Sequence, residues 1–423
     1  MRQNGSSASL AAIAVVAAMA GSFPAWATDG YFQPGFGARQ KALGGAGVAD
    51  GRDATSTSLN PAGLVHSPSE YTTAISLFSP QRYVEGSGQP GFTSTGRVES
   101  DSKLFFIPNM AWAQRVNSSL VDVIGVSMYA NGGMNTDYRG VARPLLECGG
   151  GSGVFCGGRA GVNLQQALLS VNFAKEVMPG FAIGIAPILG RQQFEAEGVS
   201  LLTPNSSTDV SWGGGVKGGI EWSVMPNVRI GVAATSPIWM QPFDKYSNLF
   251  AEQGDFDIPA NVVAGIAIDV MPNLTFMADY KHIWYSEVAA IANPSANAFI
   301  APFGADNGPG FGWEDVDVIK VGLEWRASQQ YTLRAGYSYN TSPLRSEDVM
   351  FNILAPAAVQ HHISAGATYK LSDRIDIEVA GMYVPESSIS GVELNPPLGN
   401  PNHNVEIGME QFDITFGFKY RLD

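Results

Sequence analysis

Few side chains in this 423-residue sequence are of types that do covalent or metal chemistry. It has five histidines (His66, His282, His361, His362, His403) and two cysteines (Cys148, Cys156). Adjacent His361 and His362 stand just before a strand-like run, where such a pair could bind metal but more simply caps a loop. A Gly-x-Ser-x-Gly nucleophile elbow is absent from the sequence. The reading is therefore no enzyme, no metal and no cofactor. Cationic side chains on otherwise polar strand faces remain: Lys217, Lys320, Arg326 and Arg334. Their chemistry is recognition, because each could pair with a ligand carboxylate or with Asp279, Glu324, Asp376 or Glu378.

Composition narrows the class. Charged residues make up 15% of the chain, well below the ~25% of ordinary soluble domains. An aromatic content of 10% argues against disorder. The net charge of −13 argues against a nucleic-acid partner. After the N-terminus, no apolar run approaches the ~18 residues a membrane helix needs. At the N-terminus itself, Arg2, the apolar Leu10–Ala20 and Ala25-Trp26-Ala27 read as a signal peptide, residues 1–27, cut after Ala27. In the oxidising compartment this implies, Cys148 and Cys156, separated by a glycine-rich loop, are expected to form a disulfide at a loop tip.

The elements that would position these groups alternate with period two. Phe412, Ile414, Phe416, Phe418 and Tyr420 share one face, and Asp413, Thr415, Lys419 and Arg421 the other. Ile319, Val321, Leu323 and Trp325 alternate with Lys320 and Glu324 in the same way. Six short turns recur, among them Met178-Pro179-Gly180, Met225-Pro226-Asn227 and Met271-Pro272-Asn273. Long loops rich in Pro, Gly and Asn separate them. Short turns on one side and long loops on the other suit an all-β, transmembrane antiparallel β-barrel of about 14 strands in the bacterial outer membrane. The expected strands are 71–84, 101–116, 120–139, 162–177, 181–195, 209–224, 228–240, 256–270, 274–287, 315–327, 331–341, 359–371, 375–391 and 407–421. A soluble sandwich would accept the same alternation, with its apolar faces turned inward. Residues 28–68 are glycine-dense and lack alternation, so they form a separate unit before the 69–423 barrel.

Several ordered segments carry a resemblance. They are Thr28-Asp-Gly-Tyr31-Phe32, Ala42-Leu-Gly-Gly-Ala-Gly47, Ser58-Leu-Asn60-Pro61-Ala62-Gly63, Phe106-Ile-Pro-Asn109, Phe256-Asp-Ile-Pro-Ala260, Asp279-Tyr-Lys-His-Ile-Trp284 and Arg334-Ala-Gly-Tyr-Ser338. In their order and position they resemble the FadL family of outer-membrane transporters for long-chain fatty acids and other hydrophobic compounds. The resemblance implies a fourteen-stranded barrel plugged by an N-terminal hatch, here residues 28–68. It also implies that Asn60, Pro61 and Ala62 lie beside an inward kink in the third strand, which opens the wall. Asn131, Gly132 and Gly133 break the alternation there and are the expected kink. Arg191 matches a lumenal arginine near the ligand in the family, although strict alternation from Phe181 points it outward unless Pro187 marks a bulge.

The function this implies is capture of a hydrophobic compound (a fatty acid, or an aromatic or alkane hydrocarbon) at extracellular loops, binding in a lumenal pocket, and lateral release through the third strand. Phe243, Tyr246, Leu249 and Phe250 at near-helical spacing are the expected capture loop, or else a helix packing on its own loop cap, with Phe299, Ile300 and Phe303 as a second apolar cluster. Tyr31, Phe32 and Phe36 are the expected gate anchors of the hatch. Arg191, Lys217, Lys320, Arg326 and Arg334 are the head-group candidates. The other partners expected are outer-membrane lipid and lipopolysaccharide, and the resemblance suggests a monomer. A general porin or a surface adhesin are the alternatives.

Overall fold

The computed structural model describes residues 29–116, 118–144, 151–198 and 207–422. The signal-peptide reading and Cys148 lie outside these residues.

The alternation resolves with its apolar side outward. Phe412, Ile414, Phe416 and Phe418 are exposed, while Asp413, Thr415 and Lys419 between them are buried. A soluble sandwich would do the reverse, so the greasy faces meet lipid and the polar faces line an interior.

Fourteen strands among the described residues form the wall. They are β1 (Glu70–Gly88), β2 (Phe105–Arg115), β3 (Val123–Tyr138), β4 (Ala160–Met178), β5 (Phe181–Glu197), β6 (Asp209–Met225) and β7 (Val228–Thr235). The second half is β8 (Asn261–Met271), β9 (Leu274–Ile283), β10 (Val316–Arg326), β11 (Tyr331–Asn340), β12 (His361–Lys370), β13 (Ile375–Val392) and β14 (His403–Arg421). Each pairs antiparallel with its sequence neighbour. The first and last strands pair from Glu70↔Arg421 to Gly88↔His403. This closure pairs the outer edges of the first and last strands, as a hydrocarbon environment demands.

Strand ends differ from expectation by up to five residues, and the two largest differences fall at proline. β7 stops at Thr235 rather than 240, because Ser236-Pro237 interrupts it. Trp239–Met240 then folds back onto β6. β8 starts at Asn261 rather than 256, just after Pro259. Proline lacks the N–H a ladder needs.

The N-terminal segment, described from Asp29, is almost wholly buried against inward faces of the wall. It holds one helix, α1 (Gly37–Ala42), and 3-10 turns at Ala54–Ser58 and Pro61–His66. Asp53 and Asn60 cap these turns, their side chains accepting from the Thr55 and Ala62 amides. Glycines in the wall make room for it. A Cβ at Gly336 would overlap the backbone of Leu43 and Gly44, and one at Gly184 the backbone of Pro61 and Ala62. These are close approaches only glycine permits.

Candidate functional site

The wall parts between β2 and β3. The β2–β3 ladder runs from Arg115↔Val123 only to Asn109↔Tyr129. Beyond it, β2 still pairs with β1, while β3 continues to Tyr138 alongside β4. The β3–β4 register shifts between Ala130 and Gly132, leaving Asn131 as the extra residue of a bulge. From Ser127 to Met134 every residue of β3 is buried. The strand has therefore left the lipid surface and turned inward. Phe78, Phe105, Ile107 and Ala130 form a buried apolar cluster at the parting.

Residues of the N-terminal segment occupy the space. Phe32 bridges Gly132 as an antiparallel pair. The Gln33 amide donates to the Asn131 carbonyl at 3.0 Å, and the Gly133 amide donates to the Tyr31 carbonyl at 3.2 Å. The Gln33 side-chain amide adds a bond to the Ala130 carbonyl at 2.7 Å. A Cβ at Gly132 would overlap the Tyr31 carbonyl oxygen, so the glycine is what admits the ribbon. Asp29–Gln33 thus serves as a false strand on the freed edge of β3.

The ribbon is a tight turn held from behind. Asp29 and Phe32 exchange backbone bonds at 2.9 and 3.3 Å, with Gly30 at φ 70° between them. The Tyr285 hydroxyl accepts from the Tyr31 amide at 3.0 Å and donates to the Asp29 carbonyl at 2.7 Å. The Asp29 carboxylate is fully buried, 3.1 Å from Lys320 Nζ and 3.6 Å from Lys281 Nζ. Burial raises its acid, but Lys320 and Lys281 outweigh that and hold it below the usual carboxylate range. Lys281 also lies over the Phe32 ring at 4.8 Å.

Behind the ribbon is a cavity with an apolar wall of Phe36, Tyr129, Leu168 and Ile258, into which Lys217, Lys281 and Lys320 also face. Phe36 packs on Tyr129 with ring centroids 4.4 Å apart. Lys217 contacts the Ser58 carbonyl and lies 5.6 Å from the centre of the Tyr129 ring. It pairs with no carboxylate among the described residues.

The barrel shape has counterparts among known proteins. Residues 160–396 match the family of outer membrane transport proteins described as OMPP1/FadL/TodX. The chain belongs to that family. The Pseudomonas putida toluene transporter TodX superposes with a TM-score of 0.67 at 14% identity, over 92% of this chain and 99% of that one. A Pseudomonas aeruginosa FadL homologue gives 0.66 at 13% identity, over 93% and 100%. The Ralstonia pickettii toluene transporter TbuX gives 0.61 at 16% identity, over 92% and 99%. At these identities the likeness is one of fold. No curated protein matches the chain in sequence. The protein is an outer-membrane protein of the FadL/TodX family.

Against this frame the sequence-derived residues separate. Tyr31 and Phe32 sit in the ribbon and Phe36 in the chamber, while Asn131, Gly132 and Gly133 are the inward turn. Asn60, Pro61 and Ala62 are not beside it. The Asn60 side chain donates to the Val48 carbonyl at 2.8 Å and to the Ile220 carbonyl on β6 at 3.0 Å, and Pro61–Ala62 lie against Gly184 of β5. That tripeptide starts a 3-10 turn, and its cap geometry fixes it on β5 and β6.

The cations divide likewise. Lys217 and Lys320 face the chamber. Arg334 is lumenal but donates to Glu324 at 2.8 Å, and Arg326 lies at a periplasmic turn, donating to the Pro272 carbonyl at 2.8 Å. Arg191 points away from the lumen and lies 5.9 Å from the Trp212 ring centre. Pro187 breaks the β4–β5 ladder without shifting its register, as Ser170↔Ile188 and Phe173↔Ile185 show, so no bulge turns the arginine inward.

The expected capture loop is also different. Phe243, Tyr246 and Phe250 are buried with Phe194 and Phe256, and Leu249 packs on the same cluster. No amphipathic helix forms. A single 3-10 turn at Asp244–Tyr246 precedes a left-handed pair, Glu252 and Gln253. The rings are the core of the loop cap. Of the second cluster, Phe299 and Ile300 are exposed at 44% and 74%, and Phe303 stacks on Phe351 at 5.8 Å.

Sequence reasoning missed Asp29, Gln33, Lys281 and Tyr285 as parts of the site. Lys281 was open to parity, since it lies between the lumenal Asp279 and the end of β9. The alternation lapses there, which hid it.

Proposed function

We propose that this protein carries hydrophobic small molecules through the outer membrane by way of the chamber and releases them sideways between β2 and β3. Capture begins at exposed Phe299 and Ile300 on the extracellular side. Moving an apolar body from water to protein and then to lipid is favourable at ~25 cal/mol per Å² buried. A sideways exit keeps that body out of periplasmic water, which a straight pore would not do. The observation that carries the reading is the lapse of the β2–β3 ladder beyond Asn109↔Tyr129, stopped only by the Asp29–Gln33 ribbon. The toluene transporters of similar fold handle a solute of this kind by name, and this supports the substrate class.

Deletion of Asn131 tests the reading. It removes the extra residue, so β3 can stay in register with β4 and continue its ladder with β2. Uptake of labelled oleate and of toluene by cells lacking other carriers is expected to fall to the level of cells without the protein. Undiminished uptake of both by a correctly inserted deletion variant would overturn lateral release. Steady ion-conducting steps in planar bilayers from the unaltered protein would favour a porin instead.

A further inference from the structure

The parting between β2 and β3 is fastened at both ends. Its foot is the last ladder pair, Asn109↔Tyr129. Higher up, the segment leading into β2 meets β3 again. The Asp101 amide donates to the Asp137 carbonyl at 2.8 Å, and the Asp137 amide to the Ser100 hydroxyl at 2.9 Å. One buried side chain on β1, Arg82, spans this head. It donates to the Asn135 carbonyl of β3 at 2.5 Å, to the Ser102 hydroxyl at 3.1 Å and to the Ser102 carbonyl. The Ser102 hydroxyl donates in turn to the Asn135 side chain, whose amide group reaches Asn163 on β4 at 3.2 Å. Between foot and head the opening is apolar on both sides. Phe78, Phe105, Ile107 and Ala130 cluster within it, and Leu104 and Phe106 are exposed on the outside. Arg82 also lines a cavity that it shares with Tyr31 of the ribbon and with Met134 of β3.

We infer that Arg82 is a specificity-determining residue: it ties the head of the parting, fixes how far β2 and β3 can spread, and so limits the girth of the hydrophobic solute that leaves. This rests on the lateral-release reading and adds the size of what is released. Arginine suits a tie of this kind. Its planar fork carries five donors and holds acceptors on two chain segments at once, where a lysine offers a single point charge. Such charge-assisted bonds are about twice as strong as neutral ones, and burial away from water keeps them so. A gap fastened at foot and head widens only by bowing the strands between. Freed at its head, it swings open from Asn109↔Tyr129 upward. A slender solute such as toluene needs little spreading, whereas a fused polycyclic such as pyrene needs much. Since the lining between the two ends is apolar, girth is what the tie discriminates.

The test compares uptake of labelled pyrene and toluene by cells lacking other carriers, each corrected for cells without the protein. Arg82→Met is expected to raise the pyrene-to-toluene ratio about tenfold, the factor one hydrogen bond to a charged group carries. In the same variant, purified in mild detergent, amide hydrogen exchange at Asp101 and Asp137 should quicken. Joining Ser102→Cys to Asn135→Cys with a short bifunctional thiol reagent in the Arg82→Met chain should return the ratio to its original value. A merely structural role for Arg82 would not give that return. Should Arg82→Met fail to insert, Arg82→Lys keeps the charge without the fork and is expected to shift the ratio the same way. An unchanged ratio in an inserted variant, a fall of both solutes together included, would overturn the tie. So would a raised ratio that the crosslink does not lower. Loss of uptake on deletion of Asn131 with an unchanged ratio in Arg82→Met would sink the tie alone, while uptake kept in the deletion variant would sink lateral release itself.

Discussion

The plug is held in two quite different ways along its length. From Arg39 onward it is pinned by short, mutually satisfied ion pairs. Arg39 donates to Glu324 at 2.9 Å and to Asp50 at 2.5 Å, and Glu324 also accepts from Arg334. Lys41 reaches Asp413 at 2.6 Å, and Lys419 reaches Asp53 at 3.0 Å. Arg52 and Arg229 both pair with Asp50 and Asp269. Ahead of it, the ribbon relies on two backbone rungs, the Gln33 side-chain bond to the Ala130 carbonyl, two bonds of the Tyr285 hydroxyl and the looser contacts of Asp29. A charge network with every member partnered resists opening, because losing one member strands the others. A ribbon of few bonds over a chamber can leave and return. The contrast puts the strongest bonding at the base and the weakest at the first residues, beside the proposed sideways exit.

The largest expected effect is at the base. Arg39→Ala leaves Glu324 and Asp50 buried without their shared cation, a change that costs about 3–5 kcal/mol when a buried pair is broken. Exchange should accelerate across residues 37–50, and steady conductance should appear in planar bilayers. If the base amides kept their rates, the two regions would not differ in the way the ion pairs indicate.

Gly132→Ala acts on the other side of the comparison. Its methyl would overlap the Tyr31 carbonyl oxygen, and such overpacking costs about 1–3 kcal/mol. The ribbon has few bonds to absorb it. Exchange at Gln33 and Gly133 should rise while residues 37–50 stay protected. Acceleration of both regions together would make the plug one cooperative unit.

Asn60→Ala sharpens the boundary between them. It removes an N-cap worth about 1 kcal/mol and the bonds to the Val48 and Ile220 carbonyls. Faster exchange is expected at Ala62 and Gly63, with the ribbon unchanged. A response at Gln33 instead would restore the tripeptide to the neighbourhood of the inward turn.

The barrel was legible because period-two alternation and short turns are local signals. Phe412 to Tyr420 state their two faces within ten residues, and Met225-Pro226-Asn227 states its turn. Asn131-Gly132-Gly133 was legible for the same reason, since a lapse in alternation is local too. What was not legible depended on contacts distant in sequence. Asp29 meets Lys320, and Tyr285 meets Tyr31, only after the sheet has closed. Phe243, Tyr246 and Phe250 show the ambiguity of apolar spacing, which describes a buried cap as readily as an exposed groove. Arg191 was correctly placed by parity, and the family's arginine position pointed the wrong way.

The smallest effect concerns the end of the plug. His66 Nε2 lies 3.0 Å from Glu221 on β6, with the imidazole side chain 40% exposed. The hydrogen bond with Glu221 raises the histidine above its ordinary value, more than burial lowers it. Protonation is thus favoured in the folded state. The contact stabilises fully below the unfolded value of about 6.5 and is lost as pH rises through the higher folded one. Solvent screening at so exposed a side chain keeps the contribution within about 0.2–1 kcal/mol. Exchange at Leu64 to Ser67, corrected for its intrinsic pH dependence, should quicken modestly above neutrality, and in His66→Gln it should show no such step. An equal step in both proteins would move the pH dependence to another group and leave the end of the plug held by packing alone.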